Sequence, residues 1–238
     1  MVKLINRYHN KVVCTGFFLL KILLTDGQDS KKQNQYGLYV ISKKNDYMSS
    51  ASKPGYAMVD IKKLIPAIIT DLRYAGTNNF MHAQLYPSGR IAYLREKAAR
   101  QLDSVQQVLN KKGLGIKIFD AYRPYSVTEK MWQLVQDERY AADPKKGSGH
   151  NRGVAVDVTL VDLKTKKEIE MGTGFDNFSD TAHHNFKQLP ESVLQSRFLL
   201  KSLMEQFGFK ALDTEWWHYS LTNASEFELL DIPFKNLK

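Results

Sequence analysis

Two short segments constrain this chain more than any other feature. One is Ser148-Gly149-His150-Asn151-Arg152-Gly153-Val154-Ala155-Val156-Asp157, and the other is Glu215-Trp216-Trp217-His218-Tyr219. Together they offer two imidazoles, one carboxylate suited to ligation and one spare carboxylate. Those are the parts of an open zinc site: three protein ligands, a free position for water, and a base to take that water's proton. A fold that uses them must close a gap of 58 residues, from Asp157 to Glu215.

The spacing selects the local structure. His150 and Asp157 lie seven apart. On one helix they would be separated by about 10 Å along the axis, too far to share an ion through bonds of about 2 Å. The alternation of Val154, Val156 and Val158 with Ala155, Asp157 and Thr159 is instead the period of a strand. The valines face the core and Asp157 faces a cleft, while Gly153 permits a tight bend that swings His150 back toward Asp157. Glu215 and His218 are three apart and would face opposite ways in a straight strand, so a bend must bring both to one point. Trp216, Trp217 and Tyr219 are expected to wall the site against bulk water. A histidine beside an aspartate is by default a hydrogen-bonded pair, and spacing alone leaves that reading open beside the metal one.

The pattern S-x-H-x-x-G-x-A-x-D followed by E-x-x-H resembles the zinc D,D-peptidase superfamily of bacterial cell-wall enzymes. Three segments resemble, within it, the D-alanyl-D-alanine dipeptidases of the vancomycin-resistance type and their chromosomal relatives. They are Asp120-Ala121-Tyr122-Arg123-Pro124, then Met171-Gly172-Thr173-Gly174-Phe175-Asp176 with His183-His184, and the Glu-Trp-Trp-His-Tyr run itself. The likeness spans about residues 59–234 in five ordered motifs. It implies one Zn2+ per chain held by His150, Asp157 and His218. It implies that Glu215 is general base and acid, that Arg123 stabilises the transition state, and that Ser148 and Asp176 hold the two ends of a dipeptide. The implied reaction is zinc-dependent hydrolysis of D-alanyl-D-alanine to two D-alanines.

These roles are chemically coherent. A permanently cationic Arg123 can aim donors at a developing oxyanion, and Asp176 suits an ammonium as Ser148 suits a carboxylate. Taken singly, the same residues have blander readings: Arg123 as a surface arginine, Asp176 as a turn residue, Trp216 and Trp217 as core. Adjacent His183 and His184 are expected to be structural rather than ligands. Two other functions compete. One is a D,D- or L,D-carboxypeptidase trimming peptidoglycan stem peptides. The other is a catalytically idle cell-wall-binding or zinc-structural domain, against which Glu215 argues, because a structural site needs no free base and prefers four protein ligands.

With 238 residues and 43% hydrophobic content, the chain can build one sizeable core. The expected fold is α+β: a single catalytic domain over 56–238, its helices packed on a mostly antiparallel sheet with a zinc cleft. Helices are expected over 91–112, 125–138 and 191–208, and strands over 56–60, 67–74, 116–119, 154–162 and 216–221. Gly113 is placed to end the first helix.

The net charge of +9 is concentrated at the start, where residues 1–55 hold nine Lys/Arg against three Asp/Glu. No basic stripe with interleaved aromatics follows, so nucleic acid is not an expected partner. Lys3, Arg7 and Lys11 precede an apolar run over 12–24, the order of a secretory leader, although Lys21 interrupts it and no small-x-small cleavage site follows closely. Residues 1–25 read as a possible leader and 26–55 as a polar linker. The expectation is a periplasmic or cell-envelope protein, with a cytoplasmic one as the alternative, and membrane contact only through that leader. Cys14 is the sole cysteine. It forms no intrachain disulfide and removes any cysteine-zinc or cysteine-protease reading.

Overall fold

The computed structural model describes residues 33–86, 91–139 and 141–237, which belong to one compact unit. The elements in chain order begin with strand β1 (Val40–Ile41), helix α1 (Lys44–Ala51), β2 (Met58–Asp60), α2 (Ile61–Leu64) and β3 (Ile69–Thr70). There follow β4 (Tyr93–Arg95), α3 (Glu96–Asn110), β5 (Leu114–Asp120), α4 (Tyr125–Leu134) and β6 (Ala155–Asp162). The last are α5 (Glu191–Gln206), β7 (Phe209–Leu212), β8 (Glu215–Leu221) and β9 (Leu229–Leu230).

The main sheet has the order β3-β5-β6-β8-β7. Only the β3–β5 pair is parallel; the other three pairings are antiparallel. The fold is therefore α+β, as expected. The apolar stripe of α3, with Ala98, Leu102, Val105 and Leu109 all fully buried, joins Leu200 and Met204 of α5 and Val156 and Val158 of β6 in one core. A leucine buried this way stabilises by about 1.5–3 kcal/mol relative to exposure. Gly113, at φ +73°, takes the left-handed conformation that ends α3.

The valine alternation is realised in β6, but both faces of that strand are buried, Ala155 and Thr159 as well as Val156 and Val158. Helix α3 starts later than the expected 91. Tyr93, Leu94 and Arg95 pair with Asp60, Val59 and Met58 across β2 and β4, so their backbone groups are spent on a ladder. The three-and-four spacing of Ile91, Leu94 and Ala98 imitates a helix across that boundary. Helix α4 ends at Leu134, short of the expected 138.

The reading of 26–55 as a linker is corrected over its described part. Residues 33–55 carry β1 and α1; β1 pairs in parallel with β9, and Tyr47 is buried in a second cluster with Met58, Tyr122 and Leu230. Ser50 donates to Glu228 at 2.8 Å. A polar composition hid a segment anchored by a few buried contacts. The leader expectation for 1–25 lies outside the described residues. Among the described residues no helix is long and apolar enough to cross a membrane.

Candidate active site

Sheet register brings the central residues together. Asp157 on β6 is the Cα partner of His218 on β8 and, across an irregularity at Phe119, of Asp120 on β5. Three candidate side chains, Asp120, Asp157 and His218, thus stand side by side on neighbouring strands, where cross-strand pairs lie about 5 Å apart. The bend required at Glu215 is present. One step on β7, from Ala211 to Leu212, answers four steps on β8, from Tyr219 to Glu215, and a bulge of this kind re-aims side chains.

His150 sits in the turn before β6. Gly153, at φ +69°, returns the chain, and its N–H donates to the His150 carbonyl at 3.0 Å. A methyl group on Gly153 would meet the Met58 sulfur at 2.7 Å, and one on Gly149 would meet Cβ of Ala155 at 2.7 Å. The turn therefore excludes side chains at both positions. The same His150 carbonyl accepts from the backbone of Arg123 at 3.1 Å, tying the histidine and arginine motifs together.

The donor atoms converge. His218 Nδ1 lies 2.9 Å from Asp157 Oδ1. His150 Nε2 lies 3.2 Å from His218 Nδ1 and 3.4 Å from Asp157 Oδ1. A tetrahedron around an ion with bonds of about 2.0–2.1 Å has edges of about 3.3 Å, so the three atoms fit a zinc ion's ligand face in chemistry and in spacing. His150 Nδ1 donates to the Ala121 carbonyl at 2.7 Å. That contact fixes the tautomer and leaves the Nε2 lone pair of a neutral ring facing the cluster. Among the described residues no other group of three His, Cys, Asp or Glu gathers in this way. His183 and His184 take no part.

Two kinds of carboxylate face this point. Burial alone would raise the Asp157 pKa, but the charges and hydrogen bonds of His150 and His218 reverse that and hold it well below the usual range. Burial chiefly raises Glu215 to about 7, with the Asp157 and Asp176 charges adding to it. Its Oε2 lies 3.9 Å from His218 Nδ1, next to the cluster but outside it. Asp176 is likewise pushed up to about 7, first by burial and then by Asp157, against the opposing hydrogen bond from Tyr74. Its backbone is left-handed, at φ +59°. Tyr74 donates to one carboxylate oxygen at 3.0 Å and the Phe80 N–H to the other at 3.3 Å.

Arg123 is buried and held from two sides. Its Nε and Nη2 donate to Asp120 Oδ2 at 3.0 and 2.7 Å, and its guanidinium lies 5.0 Å from the Tyr74 ring centroid. Asp120 accepts in turn from Tyr86 at 2.6 Å. Burial disfavours the cation, but Asp120 outweighs it and keeps Arg123 charged. Ser148 and Asn151 clasp each other: the Ser148 N–H donates to Oδ1 of Asn151 at 3.1 Å, and the Asn151 N–H donates to Oγ of Ser148 at 3.2 Å. That leaves the serine proton available.

Arg123, Ser148, His150, Asp157, Asp176, Glu215 and His218 all line one cleft of about 240 Å³. It is smaller than the roughly 300–1,000 Å³ of drug-sized pockets. Of the aromatics expected to wall it, only Trp217 does so. Trp216 is buried and donates to Thr173 Oγ1 at 2.8 Å, while the Tyr219 hydroxyl donates to the Trp216 carbonyl at 3.0 Å. Three contributors escaped the sequence reading. Asp120 stood at the head of a quoted motif, three residues before an arginine, without a role. Tyr74 and Tyr86 carry no motif at all.

The chain matches the D-ala-D-ala dipeptidase family profile over residues 55–237. The D-alanyl-D-alanine dipeptidase of Escherichia coli (strain K12) is 32% identical over 173 residues, 73% of this chain and 89% of that protein. That of Streptomyces coelicolor is 31% identical over 186 residues, 70% of this chain and 91% of that protein. A solved structure of VanYB in complex with D-alanine-D-alanine covers 57% of this chain and 75% of its own, with 14% identity and a TM-score of 0.37. Since the family match runs from residue 55 to 237 and takes in every cleft residue from Tyr74 to His218, this chain belongs to the D-ala-D-ala dipeptidase family.

Proposed function

We propose that the protein hydrolyses D-alanyl-D-alanine to two D-alanines, with His150, Asp157 and His218 holding one zinc ion. The observation that carries this reading is the convergence of three ligand atoms within 3.4 Å of one another beside a partly buried acid outside the cluster. Bound there, zinc would supply Lewis acidity at the scissile carbonyl and make a water acidic enough to react near neutral pH.

The chain's own groups supply the rest. Glu215, whose carboxyl is raised to about 7, is poised near neutral pH to accept the attacking water's proton and pass it to the leaving amine. Arg123, kept cationic and aimed by Asp120, stabilises the oxyanion as it forms. Asp176 pairs with the substrate ammonium and the Ser148 hydroxyl donates to its carboxylate. A small cleft that pairs both termini disfavours longer peptides, because their internal amides would leave those groups buried and unpaired.

Purified protein assayed for zinc, and for D-alanine released from the dipeptide and from a pentapeptide stem, tests this. Zinc with dipeptide cleavage supports it. Cleavage of the pentapeptide alone makes the protein a carboxypeptidase, and zinc without any hydrolysis makes it an idle domain. Export to the cell envelope is a separate proposal, supported by the basic-then-apolar order of residues 1–24. N-terminal sequencing of the protein from its native cell tests it.

A further inference from the structure

Helix α5 carries one buried residue that the proposed chemistry leaves unused. Arg197 is only 4% exposed. Among the described residues no carboxylate lies within ion-pair distance of its guanidinium. Its partners are backbone carbonyls: Nε donates to Met171 at 2.7 Å and Nη1 to His183 at 3.2 Å. Nη2 is buried with no hydrogen-bond partner. The guanidinium also lies 5.9 Å from the Trp216 ring, whose indole N–H holds Thr173.

Burying a cation without a counter-charge is costly, and an apolar side chain would serve packing better. What arginine offers here is a planar fork that reaches two carbonyls at once. Those carbonyls are the two ends of the 171–183 segment, and Asp176 stands between them in a left-handed backbone conformation. The aromatic ring of Phe175, packed 4.9 Å from Phe119 at a tilt of 36°, fixes the segment's middle. Arg197 fixes both ends, and Trp216 holds Thr173 just inside the first.

We propose that Arg197 is a positioning residue for substrate binding: it holds the 171–183 segment so that the Asp176 carboxylate meets the dipeptide's ammonium. This rests on the reading of Asp176 as the ammonium's partner. It separates Arg197 from the catalytic groups, since its loss misplaces a binding carboxylate and leaves the His150, Asp157 and His218 cluster intact.

The experiment compares Arg197→Met, Arg197→Lys, Asp176→Ala and the Arg197→Met/Asp176→Ala double variant by steady-state hydrolysis of D-alanyl-D-alanine, with zinc measured in each. Arg197→Met is expected to raise KM about tenfold, with kcat within about twofold and zinc retained. Arg197→Lys, which keeps the charge and one donor, should recover part of that rise. The double variant should be no worse than Asp176→Ala, because both act through one contact. A purely structural role would instead lower kcat and the folded fraction at unchanged KM, and that result overturns the proposal. So does a KM rise in Asp176→Ala with none in Arg197→Met, which leaves the Asp176 reading standing. An unchanged KM in Asp176→Ala overturns that reading, and the route through Arg197 with it. Should Arg197→Met fail to fold, Arg197→Lys and Thr173→Val decide, with an unchanged KM in both counting against the proposal.

Discussion

The cleft has a sheet-borne half and a loop-borne half, and they solve opposite electrostatic problems. Asp157 and His218 sit on adjacent strands whose register fixes them from both sides. There the aspartate is held ionised by two imidazoles. Asp176 sits on a loop in a left-handed conformation, and its carboxyl is raised to about 7 by burial. The sheet half holds its three donor atoms within 3.4 Å of one another. The loop half is under-compensated in the free protein, so it gains most when a transient cation arrives. Strand register fixes which side chains stand opposite one another, whereas the loop presents a carboxylate with two hydrogen bonds and no charged partner among the described residues.

The largest expected effect lies on the sheet side. His150→Ala should lose the zinc and with it all D-alanine release above background, since two remaining ligands make a poor site. Metal content by atomic spectroscopy, read beside turnover, checks both at once. A variant that keeps one equivalent of zinc would mean that the three converging atoms are not the holder, and the contrast between the halves would dissolve.

Glu215→Ala comes next. It should keep the zinc and lower kcat by about 10²–10⁴-fold, the usual share of a general base. Loss of metal in that variant would move Glu215 from base to ligand. Arg123→Ala should follow with about a 10²–10³-fold fall in kcat and a smaller change in KM. A pure KM effect would place Arg123 in ground-state binding instead.

How far the sequence foretold this differs between the same two halves. The sheet side was legible because its signals are local and periodic. Valine alternation placed Asp157 on a strand, Gly153 marked the turn that returns His150, and the three-residue gap from Glu215 to His218 required the bend that β8 makes. The supports were not legible. Tyr74, Tyr86 and Asp120 act through contacts set by tertiary packing, such as the 2.6 Å Tyr86–Asp120 hydrogen bond across 34 residues, and no spacing rule reaches that far. Composition misled at the start of the chain. Residues 33–55 look polar, yet Tyr47 and Ser50 lock them onto the domain. The start of α3 was misplaced for a related reason: β2 captures residues 93–95 through backbone pairing, which side-chain periodicity does not record.

The last expected effect is on the stability of the metal-free protein, and it sharpens the contrast most. Asp176 rises from the usual 3.8 to about 7 and Glu215 from 4.5 to about 7. Each folded-state pKa lies above its unfolded value, so the folded protein keeps protons that the unfolded chain releases. The resulting stabilisation is fully present below about pH 4 and is lost as pH rises through about 7. His150, also raised, acts with the same sign. Asp157 is lowered, so its contribution is present above the usual 3.8 and disappears only as pH falls below that. It leaves the window from pH 5 to 8 to the other groups. The melting temperature of metal-free protein should therefore fall between pH 5 and 8. Asp176→Asn, neutral throughout, should match the parent below about pH 4 and exceed it at pH 8, by up to about 4 kcal/mol if the whole shift is realised. Under the proposed role of Asp176 as the ammonium's partner, the same variant should also bind substrate less well. Parallel melting curves for parent and variant across that window would show instead that Asp176 is already well compensated in the free protein, and the distinction between a preorganised sheet and a waiting loop would fail.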